Sequence, residues 1–333
     1  LGGEHCALGA GIMKPDLRVD DLIARPGEKA QGFALFDESA AGIEVRAPVI
    51  LINGAGEGPT LVVTSGVHGD DLNTIPMTWR IAAQVDPAGL RGQVIAVPVV
   101  NPVAFEAGTH LTPADNSTPS VPGNPHGTIS ERIGYHLYHK IVVQADYAID
   151  MHGGSKRSTL AALAGIDGAA PTEVVQRARG MAEAFNPDLI IVMQPKDDAP
   201  PKSIFQVASR NCAPGLIIGM GRMGFNEEDT VRGARGVLNV LKHLDMLDGE
   251  PERVVTPRET GSELYHYTPY GGGFFPAVEA AQEVHEGDVL GVICDVFGAE
   301  IGQVTAQTDG LVAAIRFYPV VSAGEWVASV ARR

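Results

Sequence analysis

The strongest constraint on this chain is a repeated alternation of two kinds of segment. Short runs rich in Val and Ile occupy residues 46–52, 61–65, 93–99, 146–150, 189–193 and 215–218. Helical patterns separate them at 74–86, 128–144, 171–185 and 228–245. Short apolar runs without polar alternation read as strands buried on both faces. Interleaved with helices, they specify an α/β sheet covered on both sides. In such sheets, ligands bind in the loops at the carboxyl ends of the strands.

The pattern changes after "LDGEPERVVTPRETGSE". Residues 264–333 are Gly-rich and strand-like, with almost no helical periodicity. A chain of 333 residues exceeds what one core usually supports, so two domains are expected. The expected division is an N-terminal extension with strands at 1–45, an α/β domain at 46–250 and a β domain at 251–333. The last part contains an internal repeat, "VHEGDVLGVI" (284–293) and "VSAGEWVASV" (321–330). Two hairpin-like units of this kind suggest a small sandwich similar to the barrel-sandwich folds of lipoyl and biotin carriers. A carrier needs a lysine at its hairpin tip, and no lysine follows Lys242. The carrier function is therefore excluded.

Composition narrows the partners. A formal charge of −15 argues against nucleic-acid or anionic-membrane binding, because phosphates require clustered Lys and Arg. No window offers about 18 uncharged apolar residues, and the opening lacks the basic start and apolar centre of a signal peptide. A cytoplasmic protein acting on a small molecule is expected, as a homo-oligomer on general grounds. Cys6, Cys212 and Cys294 form no disulfide framework or CxxC pattern and read as buried small apolar residues.

Two constellations carry chemistry. In "GVHGDD" (66–71), His68 and Asp71 stand three apart across a strand end and a helix start, a metal-ligand spacing. Asp is also a common helix cap, but Asn73 can take that duty and leave Asp71 free. In "YAIDMHGGS" (147–155), Asp150 and His152 alternate onto one side of a strand. His152 then reads as a metal ligand and Asp150 as the carboxylate orienting an imidazole through its other N–H. Two histidines, one carboxylate and an open water position form the ligand set of hydrolytic zinc. Thr128 and Glu131 form a capping box, which accounts for that Glu.

"GVHGDD", "VPVVNPVAFEAGTHLTPAD", "HGTISERIGYHL", "ADYAIDMHGG" and "RGVLNVLKHLDML" stand in an order that resembles the succinylglutamate desuccinylase and aspartoacylase family, which includes N-acetyl-diaminobutyrate deacetylases. The resemblance runs from about residue 40 to the end. It implies a carboxypeptidase-like mixed α/β sheet flanked by helices, and a Zn2+ ion held by His68, Asp71 and His152, with other divalent metals also suited to that set. Asp71 stands where the family usually has Glu. The implied reaction is hydrolysis of the amide of a small N-acyl amino acid or related amide by a metal-activated water.

Three departures follow from the same comparison. Gly219 stands where the family places its general-base Glu. Gly108-Thr109-His110 replaces a G-T-R element, and "NSTPSVPG" (116–123) lacks a second substrate-binding Arg. Replacement bases are sought in Glu259 and Glu263 on the segment between the two parts. Substrate contacts are expected from Asn101, His110, Arg222 and Lys156. The alternative is a non-hydrolytic binding protein, or a member with altered chemistry, that lost the catalytic Glu.

Overall fold

The structure is a computed structural model describing residues 15–38, 42–194, 200–222 and 224–332. A short hairpin of β1 (Leu17–Val19) and β2 (Leu22–Ala24) precedes the sheet. The α/β part comprises β3 (Glu28–Glu38), β4 (Glu44–Asn53), β5 (Gly56–Ser65), α1 (Thr74–Gln84), β6 (Arg91–Val97), α2 (Pro102–Ala107) and α3 (Ile129–Lys140). It continues with β7 (Tyr147–Gly153), β8 (Ser158–Asp167), α4 (Thr172–Phe185), β9 (Leu189–Met193), α5 (Ile204–Arg210), β10 (Gly215–Gly221) and α6 (Glu227–His243). The expected strands and helices are all present. β3 falls among the strands expected before residue 46, whereas β8, rich in Ala and Gly with no Val, and the short helices α2 and α5 were not anticipated.

A parallel core in the order β6-β5-β7-β10 runs through the middle of the sheet. On one side β4 and then β3 join it antiparallel, and on the other β8 does so. Helices α1, α4 and α6 cover one face, where Met77, Ile81, Phe185 and Val240 pack on Ile149 and Met151. Helices α3 and α5 cover the opposite face, with Ile133, Leu137, Ile204 and Ala208 against Val62 and Ala148. Alternation along β7 therefore turns Asp150 and His152 toward the α3 and α5 side, at the carboxyl edge of the sheet. The Thr128–Glu131 capping box is present and starts α3.

The carboxyl-terminal strands are β11 (Arg258–Thr260), β12 (Glu263–Tyr267), β13 (Gly272–Pro276), β14 (Glu283–Val284) and β15 (Val289–Cys294). They are followed by β16 (Glu300–Thr305), β17 (Gly310–Arg316), β18 (Val320–Val321) and β19 (Trp326–Arg332). The sheet β16-β15-β13-β18 faces β17 and β19 across a core of Phe274, Leu290, Ile293, Val312, Val327 and Val330. This is a sandwich, yet it is not detached: β17 pairs with β8, so the main sheet continues into it. The internal repeat is visible as two equivalent turns. Gly287 and Gly324 both take positive φ, at 94° and 82°, as the tight turns require. The following acids, Asp288 and Glu325, each accept from the backbone N–H three residues back, at 2.8 Å in both cases.

The cysteines differ from expectation. Cys212 is exposed, with φ of 66°, and is disulfide-bonded, while Cys294 is half-buried and free. Neither is a core residue, since each sits at an element end rather than on an inward-facing position. Cys6 lies outside the described residues. No helix among the described residues is long and apolar enough to cross a membrane.

Candidate metal centre

Strand β5 stops at Gly66, whose φ of 63° turns the chain so that Val67–Asp71 crosses the sheet edge toward β7. A side chain there would crowd Pro98 and Val99 at 3.1 Å. The turn brings His68 and Asp71 beside His152. His68 Nδ1 lies 3.1 Å from Asp71 Oδ2, His152 Nδ1 lies 3.2 Å from His68 Nδ1, and His152 Nδ1 lies 3.4 Å from Asp71 Oδ2. Four ligands placed tetrahedrally at about 2.0–2.1 Å stand about 3.3–3.4 Å apart, so the three atoms fit one zinc-sized ion. Two imidazole nitrogens facing each other at this distance cannot both donate or both accept. A single cation or proton between them satisfies both.

Asp71 and His152 are held from behind. Asp71 is fully buried, and its other oxygen accepts from Gly153 N–H at 3.1 Å. Burial alone would raise its carboxyl, but hydrogen bonds from His152 and His68 hold it well below the ordinary carboxylate range. Asp150 Oδ2 lies 3.2 Å from His152 Nε2, an ion pair without an in-line hydrogen bond, and Thr64 Oγ1 donates to Asp150 Oδ1 at 2.8 Å. Burial would lower the His152 pKa, but Asp150 and then Asp71 outweigh it and push it up to about 10. In the metal-free protein, His152 therefore carries the proton that a metal would displace.

Asn73 occupies the cap position of α1 without capping it. Its Nδ2 donates to Met220 O at 2.6 Å, tying the helix start to β10. Thr74 N–H and Oγ1 bond the Asp71 carbonyl instead, at 3.1 and 2.9 Å. The expectation that Asn73 relieves Asp71 is thus corrected: Asp71 is free because its carboxylate points at the histidines, and Thr74 closes the turn.

The remaining expected residues divide. His110 joins the site: its ring stacks on His68 with centroids 3.9 Å apart and 10° between planes, and its Nδ1 bonds Asp70 Oδ1 at 2.7 Å. Lys156 is adjacent, donating its backbone N–H to Asp70 Oδ2 at 3.0 Å and its ammonium to the Gly108 carbonyl. Asn101 is fully buried and saturated. It accepts from Ala104 N–H to cap α2 and donates to Val67 O and Thr112 Oγ1, so it shapes the His68 loop and cannot meet substrate.

Arg222 lines a different groove, between α6 and the sandwich, together with Asp229 and Phe317. Glu259 and Glu263 are also displaced. Glu259 sits on β11 and pairs with Arg179, four strand spacings from β7, or roughly 19 Å. Glu263 sits on β12, bonded by Ser329 Oγ at 2.9 Å and five spacings from β7, roughly 24 Å. Neither reaches the cluster, because the segment after 250 runs along the far side of the sheet instead of folding over the edge.

Gly219 registers beside His152 on the neighbouring strand, so a side chain there would share its face. That space is not open. A Cβ at 219 would meet Leu160 Cδ1 and Leu163 Cγ at 3.1 Å. A cavity of about 410 Å³ adjoins the histidines, lined by Ser117, Thr118, Ser120, Lys202, Gln206 and Ile217. Lys202, absent from the expected contacts, has no ion-pair partner among the described residues. Its signal in the sequence was weak, a lone cation after a proline pair.

A sequence model of the succinylglutamate desuccinylase/aspartoacylase catalytic domain matches residues 57–244. This chain belongs to that family. The match spans the whole constellation, from the His68 loop to α6. The N-alpha-acetyl-L-2,4-diaminobutyric acid deacetylase of Halomonas elongata is 28% identical over 307 residues, covering 89% of this chain and 88% of that one. The succinylglutamate desuccinylase/aspartoacylase of Rhodobacter sphaeroides superposes with a TM-score of 0.83 at 26% identity, covering 98% of both chains. A product-bound ectoine utilization protein from Ruegeria pomeroyi shares the fold, with a TM-score of 0.82 at 22% identity, covering 96% of this chain and 98% of that one. The family's chemistry is deacylation, and a small-molecule substrate suits the cavity.

Proposed function

We propose that the chain is a zinc-dependent amidohydrolase that deacylates a small N-acyl amino acid or related amide. The observation that carries the reading is the convergence of His68 Nδ1, Asp71 Oδ2 and His152 Nδ1 on one point at the edge of a deacylase-family sheet. A divalent ion bound there would polarise the amide carbonyl and make a water nucleophilic near neutral pH. The chain's own residues do the rest. Thr64 and Asp150 fix the His152 ring, the Gly153 N–H fixes Asp71, and the cavity beside them holds the substrate. Lys202 is the cation available to a substrate carboxylate.

Among the described residues, no glutamate lines that cavity. Without a positioned base, turnover is expected to be about 100- to 10,000-fold below that of a deacylase that has one. The closed position at Gly219 also supports a second reading, a binding protein that keeps the cradle without hydrolysis. Elemental analysis combined with an N-acyl amino acid panel separates the two. Zinc near one per chain, lost in His68→Ala and His152→Ala together with slow hydrolysis, supports the hydrolase. Metal without hydrolysis supports the binder, and no metal in freshly purified protein overturns both.

A further inference from the structure

We propose that the groove between α6 and the sandwich is a second ligand site, separate from the metal centre, that takes a free α-amino acid with an apolar side chain. The groove has a volume of about 470 Å³, and four parts of the chain wall it: the start of β8, the end of β10, the first turns of α6, and the sandwich. It shares no lining residue with the cavity beside the histidines. That cavity lies beside α5 and the groove beside α6, and these helices cover opposite faces of the sheet.

The charges in the groove select the ligand. Arg232 and Asp188 satisfy each other in a bidentate bridge at 2.7 and 3.1 Å. Asp229 and Arg222 are left over. Asn226 caps α6 by accepting from the Asp229 backbone N–H at 3.0 Å, which leaves the Asp229 carboxylate unused. Neither that carboxylate nor the Arg222 guanidinium has a hydrogen bond or ion pair among the described residues, and the two line one groove without pairing with each other. Burial, with Glu228 next to it, pushes the Asp229 carboxyl above its ordinary value, and Arg232 and Arg222 offset this only in part. A half-buried carboxylate without a donor carries a cost that an incoming ammonium relieves. Arg222 would take the carboxylate on the same carbon. A plain carboxylic acid is disfavoured, because exposed Glu279 adds a second negative charge at the rim. The sandwich side is formed by Pro276, Val278, Ile315 and Phe317, so the ligand's own side chain meets an apolar wall.

Calorimetric titration of the full chain tests this with L-leucine and three analogues: glycine, which lacks the apolar side chain, isopentylamine, which lacks the carboxylate, and isocaproate, which lacks the ammonium. L-leucine should bind one site per chain, and each analogue about 10- to 100-fold more weakly, as expected for one lost charged hydrogen bond or for a lost aliphatic contact. Asp229→Asn should weaken L-leucine by the same factor without weakening isocaproate. Arg222→Gln should do so without weakening isopentylamine. The analogue series on the wild type needs neither variant, so it decides the matter even where a substitution unfolds the chain. L-leucine should bind with unchanged affinity to the His68→Ala/His152→Ala protein and to wild type stripped of metal with a chelator, as a site away from the metal centre requires. No binding of L-leucine at millimolar concentration, an analogue that binds as tightly, binding that disappears with the metal and both histidines, or binding indifferent to both groove substitutions overturns the proposal.

Discussion

Replacing Gly219 by Glu puts a carboxylate where the family resemblance implies a general base, and the geometry at this position predicts that activity gains nothing from it. Gly219 has ordinary strand geometry, so the backbone does not resist a side chain. The resistance comes from Leu160 and Leu163, whose atoms stand 3.1–3.2 Å from the Cβ position. Ordinary contact begins near 3.4 Å, so Ala alone needs the leucines to yield by a few tenths of an ångström. Glu adds four further heavy atoms and a charge against the same apolar surface. Overpacking of this kind costs about 1–3 kcal/mol. For a domain of this size that corresponds to a fall in Tm of about 2–12 °C. Gly219→Glu should therefore be destabilised and no faster, while Gly219→Ala stays within about 1 kcal/mol of wild type. Leu163→Ala combined with Gly219→Glu should show a favourable coupling of about 1–2 kcal/mol in a double-mutant cycle, because the truncation makes room. Thermal denaturation and amide hydrolysis of the zinc-loaded proteins provide the readouts. A Gly219→Glu enzyme with unchanged Tm and hydrolysis raised 100-fold or more would refute the reasoning, since it would mean that the position was merely vacant.

Further expectations concern the cluster and the sandwich. Asp150→Asn or Thr64→Val should weaken zinc binding about 10- to 100-fold, measured by competition with a chelator, because the His152 ring loses its orienting partner. Zinc loading at pH 8 should release about one proton per metal, seen as a buffer-dependent heat, because His152 is protonated in the metal-free protein while Asp71 is already ionised. The same raised pKa stabilises the metal-free fold fully below about pH 6.5, the ordinary histidine value, and that contribution is lost as pH rises through about 10. His266 behaves oppositely. Burial in the sandwich pushes its pKa down, the carbonyls of Leu264 and Ala328 offset this only in part, and Nε2 accepts from Gln307 N–H at 3.0 Å. Its contribution is present above about pH 6.5 and lost as pH falls further, so His266→Gln should flatten the decline of Tm on the acid side.

The sequence made the cluster legible because its geometry is local. His68 and Asp71 are three residues apart at one strand exit, and Asp150 and His152 alternate onto one face, so short-range rules suffice to aim each pair. That the two pairs meet depends on β5 and β7 being neighbours in the sheet, which strand and helix alternation makes expected. Long-range placement was less accessible. Glu259 and Glu263 were expected because they lie on the segment between the two parts, and the sheet order carries them away from the cluster; Arg222 follows β10, beside β7, but lines the groove with Asp229 and Phe317 instead. Asn101 and Asn73 have the chemistry for the roles expected of them, but their amides are committed to Val67, Thr112 and Met220 in loops and strands distant along the chain.

By itself, then, the sequence determined the α/β alternation, the repeat in the sandwich, the candidate donors His68, Asp71 and His152, and the glycine at 219. Period, spacing and residue type are properties of a few consecutive residues, and they survive without knowledge of the fold. The tertiary structure alone decided that the space at Gly219 is closed by Leu160 and Leu163, that Asp70 holds His110 flat on His68, and that Lys202 lines the cavity. Each of these is a contact between segments 40 or more residues apart, set by which strands pair and which loops their ends bring together.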